Sequence, residues 1–169
     1  MNNIINCLTE HGSKSFVTCC RQQSKPKIMN TKSLISHSFD VVGAICAVHH
    51  ELGPGLNERC YQEGLEIELL KRGIPFYREL LLHPEYHGKE MRASYKIDFL
   101  CKGDIIIECK SVTELLSLHR AQLFNYMHLT KVSSGILVNF LPSFANIERY
   151  FYNKDRNEIV TVYGHPIHR

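Results

Sequence analysis

"YKIDFLCKGDIIIECKS", Tyr95 to Ser111, decides the fold: it reads as two core strands joined by a tight turn, yet three charges lie inside them. Asp98 sits in the first apolar run, and Glu108 and Lys110 sit in the second. Removing a charge from water costs several kcal/mol unless a partner compensates it. The chain has ample isoleucine and valine, so charges at these positions point to a site rather than to packing. The turn decides whether they meet. A two-residue loop, Lys102 and Gly103, sets Asp98 opposite Ile107 and sends the two acids to different faces, because side chains alternate along a strand. A three-residue loop, Cys101 to Gly103, places glycine at the left-handed position of a type I turn with a bulge. Asp98 then faces Ile106, Lys96 faces Glu108, and Asp98, Glu108 and Lys110 share one side of the sheet. The three-residue loop is the expectation, since the shorter one leaves both acids without a use.

Working outward, "FYRELLLHPEY" (76–86) and "MRASYKIDFL" (91–100) are predicted strands separated by "HGKE". The second alternates Met91, Ala93, Tyr95, Ile97 and Phe99 against Arg92, Ser94, Lys96 and Asp98. "DIIIECK" (104–110) and "SGILVNFL" (134–141) are apolar almost throughout, as strands are when both faces are covered. Before them, Leu34, Ser38, Val41 or Val42, Ile45, His49 and Leu52 recur at helical spacing until Gly53 to Gly55 stops the run. A second helix is expected from about Asn57 to Arg72, with Tyr61, Leu65 and Leu69 on one face and Gly73 as its cap. Ser117 is placed to cap a third helix ending near Thr130. A hairpin is expected at about 146–163 around the polar turn Asn153 to Asn157. Helix, helix, three strands, helix, strand describes an α/β domain whose mixed sheet is covered by helices.

With 169 residues the chain suits one core. Residues 1–32 have no sustained period and carry a Lys-Pro-Lys breaker, so they are expected to be a poorly ordered extension, leaving 33–169 as a single domain. The longest uncharged apolar run, Val41 to Val48, is far short of the roughly 18 residues of a spanning helix, so no membrane is expected. Seven cysteines without a CxxC pair read as reduced thiols, pointing to a cytoplasmic setting. The net charge of +3 permits a polyanionic partner without demanding one.

Two carboxylates converging in a partly dry site repel each other unless a cation joins them. Hard oxygen donors, few in number, suit Mg²⁺ or Mn²⁺ better than zinc. Lys110, two residues beyond Glu108, brings positive charge where a phosphate oxygen or an attacking water would lie. Together these are the parts for hydrolysing a phosphodiester.

Asp98 followed by Glu108-Cys109-Lys110 resembles the D...ExK signature of the PD-(D/E)XK nuclease superfamily, with Ile97 in place of its nominal proline. "GLNERCY", with Gly55, Glu58 and Tyr61, resembles the signature of the GxxExxY protein family within it. "AQLFNYM", with Gln122, Asn125 and Tyr126, and "GILVNF", with Gly135, Asn139 and Phe140, follow in the same order. The resemblance covers about Ile35 to Phe140. It implies a restriction-endonuclease-like core in which Asp98, Glu108 and the carbonyl of Cys109 hold the metal, with Glu58 reaching the same site from a helix. It implies too that Gln122 helps hold water or the lysine. The expected partner is nucleic acid, DNA ahead of RNA. The alternative is a catalytically silent nucleic-acid or protein-binding module that keeps the fold for assembly, with a homodimer as one arrangement.

Simpler roles compete at several positions. Glu58 in a helix first turn is favoured by the helix dipole alone. Tyr61 and Tyr126 read as core aromatics with satisfied hydroxyls, and Asn125 and Asn139 as structural amides. Lys89, Arg92, Lys96, Lys102 and Arg120 could follow a phosphate backbone or simply form a solvated face. No helix-turn-helix, zinc finger or aromatic RNA-binding signature is present.

Overall fold

The computed structural model describes residues 31–167; the predicted extension lies outside them except for its last two residues. Three helices come first: α1 (Thr31–His37), α2 (Phe39–Leu52) and α3 (Glu58–Lys71). Strands β1 (Phe76–Leu82), β2 (Glu85–Tyr86), β3 (Lys89–Glu90), β4 (Tyr95–Cys101) and β5 (Ile105–Lys110) follow. Then come α4 (Ser117–Thr130), β6 (Ser134–Asn139), β7 (Asn146–Asn153) and β8 (Glu158–Thr161). Six strands form one sheet in the order β1-β4-β5-β6-β7-β8, and β2 and β3 form a separate small ribbon. Only β5 and β6 run parallel among these neighbours, and α4 carries the chain between them. This is the mixed sheet flanked by helices of a restriction-endonuclease-like fold. Among the described residues, no helix is long and apolar enough to cross a membrane.

The sheet separates two cores. Ile45, Leu65, Phe99 and Ile107 meet between the sheet and α2 and α3, whereas Leu100, Ile106, Leu123 and Met127 meet beneath α4. The helical run predicted as one element from Ser33 is two, broken at Ser38. The Ser38 hydroxyl donates to the Ile35 carbonyl, the local side-chain bond with which serine competes against a helix ladder. Ser117 is the first residue of α4 rather than its cap; Leu116 holds the cap position, and its N–H donates to His119 Nδ1. Gly135 lets α4 approach, because a Cβ there would collide with the Met127 sulfur.

The β4–β5 turn does contain three residues, but they are Lys102, Gly103 and Asp104. Cys101 pairs with Ile105, Leu100 with Ile106 and Phe99 with Ile107, so the expected register is displaced by two residues. Lys102 (φ +54°) and Gly103 (φ +77°) are both left-handed, as in a type I′ turn, and the Asp104 N–H closes it on the Cys101 carbonyl at 3.2 Å. The Lys102 ammonium donates to Asp40 Oδ1 at 2.7 Å and to the His37 carbonyl at 2.9 Å, which holds this lysine in its uncommon conformation. A displacement of two keeps face parity.

Parity is then broken elsewhere. Ile97 and Leu100 both belong to the α4-side core while Phe99 belongs to the other, so the regular alternation predicted through Ile97 and Phe99 does not hold. The partner strand breaks at the same level: Tyr77, Leu80 and Leu82 all pack on the α4 side. Arg78 meanwhile pairs with Glu66 of α3. Pairing runs from Phe76↔Cys101 to Leu82↔Tyr95 but skips Glu79 opposite Asp98, and Glu79 has φ +53°. Both strands thus change phase together, which turns Glu79 and Asp98 toward α3.

Candidate functional site

The site forms where β5 ends and α3 begins. Asn57 caps α3 by accepting from the Cys60 N–H at 3.0 Å, which makes Glu58 the first helical residue. The preceding loop is fixed by Tyr61, whose hydroxyl donates to the Gly53 carbonyl at 2.7 Å and accepts from the Leu56 N–H at 3.1 Å. The Tyr61 ring stacks on Phe140 with centroids 4.7 Å apart. Ser111, just past β5, donates to the Leu56 carbonyl at 2.6 Å. Asn139 ties the exit of β5 to that of β6: its amide exchanges hydrogen bonds with the Val112 backbone at 3.1 and 2.7 Å and accepts from the Leu141 N–H. These residues are scaffolding that holds the acids.

Asp98 leaves the β4 ladder to accept the Cys109 N–H on Oδ2 at 2.8 Å, so a carboxylate takes the place of a strand carbonyl. Burial raises its pKa, against the opposing pull of that N–H, of Lys110, of a hydrogen bond from Gln62 and of Lys96. Glu108 is 1% exposed. Its Oε1 lies 2.5 Å from Lys110 Nζ, and its Oε2 is buried without a hydrogen-bond partner. Burial and the Asp98 charge push Glu108 up to about 7 despite the lysine. Glu58 is raised by burial and by Asp98, while Lys110 and the Ser111 N–H oppose this. For Lys110, burial pushes down, but Glu108, Glu58 and Asp98 outweigh it and raise the pKa, keeping the ammonium charged.

Asp98, Glu108, Lys110 and Glu58 are therefore brought into one electrostatic unit, in which Gln62 is shared, its amide also donating to Glu58 Oε1 at 3.4 Å. Asp98 is on Cys109 and Gln62, Glu108 is on Lys110, and Glu58 is on Ser111. Among the described residues, no three His, Cys, Asp or Glu side chains gather as a metal cage. Even so, the donor chemistry fits a hard divalent cation: a buried carboxylate oxygen lacks a partner and neighbouring acids repel one another. The Cys109 thiol is buried in the α3-side core with its pKa well above the ordinary value, which leaves only its backbone to the site.

Gln122 donates to the Tyr126 hydroxyl at 2.8 Å, which donates in turn to the Lys96 carbonyl at 3.3 Å. Gln122 is thus one step removed from the acids, whose charges reach Tyr126. Two of the candidate phosphate-following cations are engaged elsewhere: Arg120 with Glu148 at 2.5 Å, and Lys102 with Asp40. Sequence reasoning missed Gln62 and Glu79. Gln62 lies four residues after Glu58 on the same helix face, a spacing that could have identified it. Glu79 carries no such signal, because the shared phase change of β1 and β4 is a property of the pair. An open cleft beneath α3 is lined by Glu58, Gln62, Arg78, Glu79, Lys96 and Asp98, among others.

The family model described as the PD-(D/E)XK nuclease superfamily matches residues 36–150. The chain is similar to a solved structure, the crystal structure of SSO0001, with 19% identity, a TM-score of 0.44, and coverage of 79% of this chain and 72% of that one. No curated protein matches.

Proposed function

Because the chain belongs to the PD-(D/E)XK nuclease superfamily, we propose that it hydrolyses phosphodiester bonds in nucleic acid, DNA ahead of RNA, and is of the GxxExxY type. The observation that carries this reading is Glu108: a buried carboxylate with an unpartnered oxygen, set beside Asp98 and raised to about 7. Asp98 and Glu108 would hold Mg²⁺ or Mn²⁺, with the Cys109 carbonyl and Glu58 as further oxygen donors. Bound there, the cation supplies Lewis acidity for the scissile phosphate and for the attacking water. Lys110 stays an ammonium and stabilises charge developing on the phosphate; it does not serve as the base. With Glu108 engaged as a metal ligand, Lys110 would be free of its present partner and able to face the substrate phosphate. Gln122 acts through Tyr126, whose bond to the Lys96 carbonyl supports the strand that bears Asp98.

The test is metal-dependent cleavage of DNA and RNA by the purified protein. Lys110→Ala should abolish it while leaving the thermal melt cooperative. Cleavage that persists in Asp98→Ala combined with Glu108→Ala would assign the activity to another site or a contaminant. The 2.5 Å contact between Lys110 and Glu108 supports a second reading, a silent binding module in which that pair is a permanent ion pair. Calorimetric titration with Mn²⁺ separates them: heat lost in Glu108→Gln together with turnover supports the nuclease, whereas metal binding without turnover supports the module.

A further inference from the structure

The cleft beside Asp98 contains three side-chain cations, Arg59, Arg78 and Lys96. Each is paired with a carboxylate: Arg59 with Glu63 at 3.1 Å, Arg78 with Glu66, and Lys96 with Glu79 at 3.0 Å. A surface that binds a polyanion through free lysines and arginines does not look like this. The Lys96–Glu79 pair stands apart for three reasons. Both of its side chains are about half exposed (54% and 53%), so it is far more open to exchange than Arg78–Glu66. Lys96 is close enough to Asp98 to pull its pKa down. Its backbone carbonyl is gripped by Tyr126, so the lysine projects from a fixed point.

Glu79 meets Lys96 from a left-handed backbone, at the point where the β1–β4 ladder skips a pair. A glutamate gains nothing locally from that conformation, which is sparsely populated outside glycine and asparagine. The packing of β1 does not require a carboxylate there either, since the side chain is exposed. What the conformation achieves is to place an anion on a cleft cation whose charge reaches Asp98.

We propose that Lys96 anchors the phosphate adjoining the scissile one, and that Glu79 stands in for this phosphate until nucleic acid displaces it. This rests on the phosphodiester reading of the Asp98 site and adds to it a selectivity device. A lone anion must compete with a tethered carboxylate at high effective concentration. A continuous backbone, held at several phosphates at once, wins that exchange. Loose phosphates and scattered polyanions are rejected, and only a strand that also fills the cleft is retained.

The experiment measures binding in EDTA, where no metal-dependent cleavage intervenes, using a short fluorescein-labelled DNA duplex and its single strand in anisotropy titrations across a salt series. Lys96→Gln should weaken binding and reduce the slope of log K against log salt by about one, the signature of a lost phosphate contact. Glu79→Gln should tighten binding about fivefold or more, and the double variant should fall back to the Lys96→Gln value. Glu79→Gly accommodates the left-handed backbone and removes the charge, so it should tighten binding without loss of thermal stability; it guards against a misfolded glutamine variant. An unchanged slope in Lys96→Gln, no tightening in either Glu79 variant, or no measurable binding by any of the proteins overturns the proposal. The predicted pattern in a protein that never cleaves with Mg²⁺ or Mn²⁺ would uphold the phosphate anchor and overturn the hydrolysis reading instead.

Discussion

Glu108 illustrates how one residue can set the behaviour of a site. Its neutral form is favoured in the folded protein by burial and by Asp98, while the unfolded chain releases its proton near the ordinary glutamate value of 4.5. Between 4.5 and about 7 the folded state therefore binds more protons than the unfolded state, so stability must fall as pH rises through that window. Asp98 and Glu58 are raised too and act in the same direction. Denaturant melts in EDTA should show lower stability at pH 7 than at pH 5, by something on the order of 1–3 kcal/mol. Glu108→Gln should flatten that slope, and Mn²⁺ should restore stability at pH 7 in the wild type only. A wild-type slope unaffected by Glu108→Gln would mean that this carboxyl is ionised in the fold. At this scale Asp98, Glu108 and Lys110 were legible because charge inside an apolar run is a local signal. Gln62 and Glu79 were not singled out, since their importance comes from what they face across the cleft.

Helices and turns place these residues, and here the legible and illegible parts divide differently. The start of α3 could be read because Asn57, Tyr61, Leu65 and Leu69 are spaced by the helix itself. Tyr61 is a positioning residue: Tyr61→Phe keeps the stack on Phe140 but frees the Gly53 carbonyl and the Leu56 N–H. A loss of about 1–2 kcal/mol in denaturant melts is expected, along with weaker cleavage as Glu58 loses its fixed start of helix. Gly135→Ala tests the α4 contact, where the added methyl group meets the Met127 sulfur in a fully packed core. A cost of about 1–3 kcal/mol is expected, and Met127→Ala should relieve part of it if the clash is the cause. Strand phase was the illegible part. A strict period of two predicted Ile97 and Phe99 on one face, and the paired kink at Glu79 and Asp98 put them on two. Hairpin register was half legible: glycine fixed the left-handed turn, but nothing local showed that Lys102 would be left-handed as well, because its partners Asp40 and His37 are more than sixty residues away.

At the scale of the whole molecule, the order of elements was enough to fix an α/β class, and the apolar runs of β5 and β6 marked the centre of the sheet. That sheet is a partition. Ile106 and Ile107 are joined by one peptide bond, yet their side chains enter cores that lie on opposite sides of it. Truncating either one, as Ile106→Val or Ile107→Val, should cost about 0.5–1.5 kcal/mol. The two losses should add to within about 0.5 kcal/mol in the double variant, as though the residues were far apart. Ile105 and Ile107, separated along the chain but sharing a core, are the pair in which departure from additivity is expected. Mutational tolerance in this protein should therefore follow the two faces of the sheet: a substitution beneath α4 can be absorbed by its neighbours there, while the core beneath α2 and α3 evolves on its own.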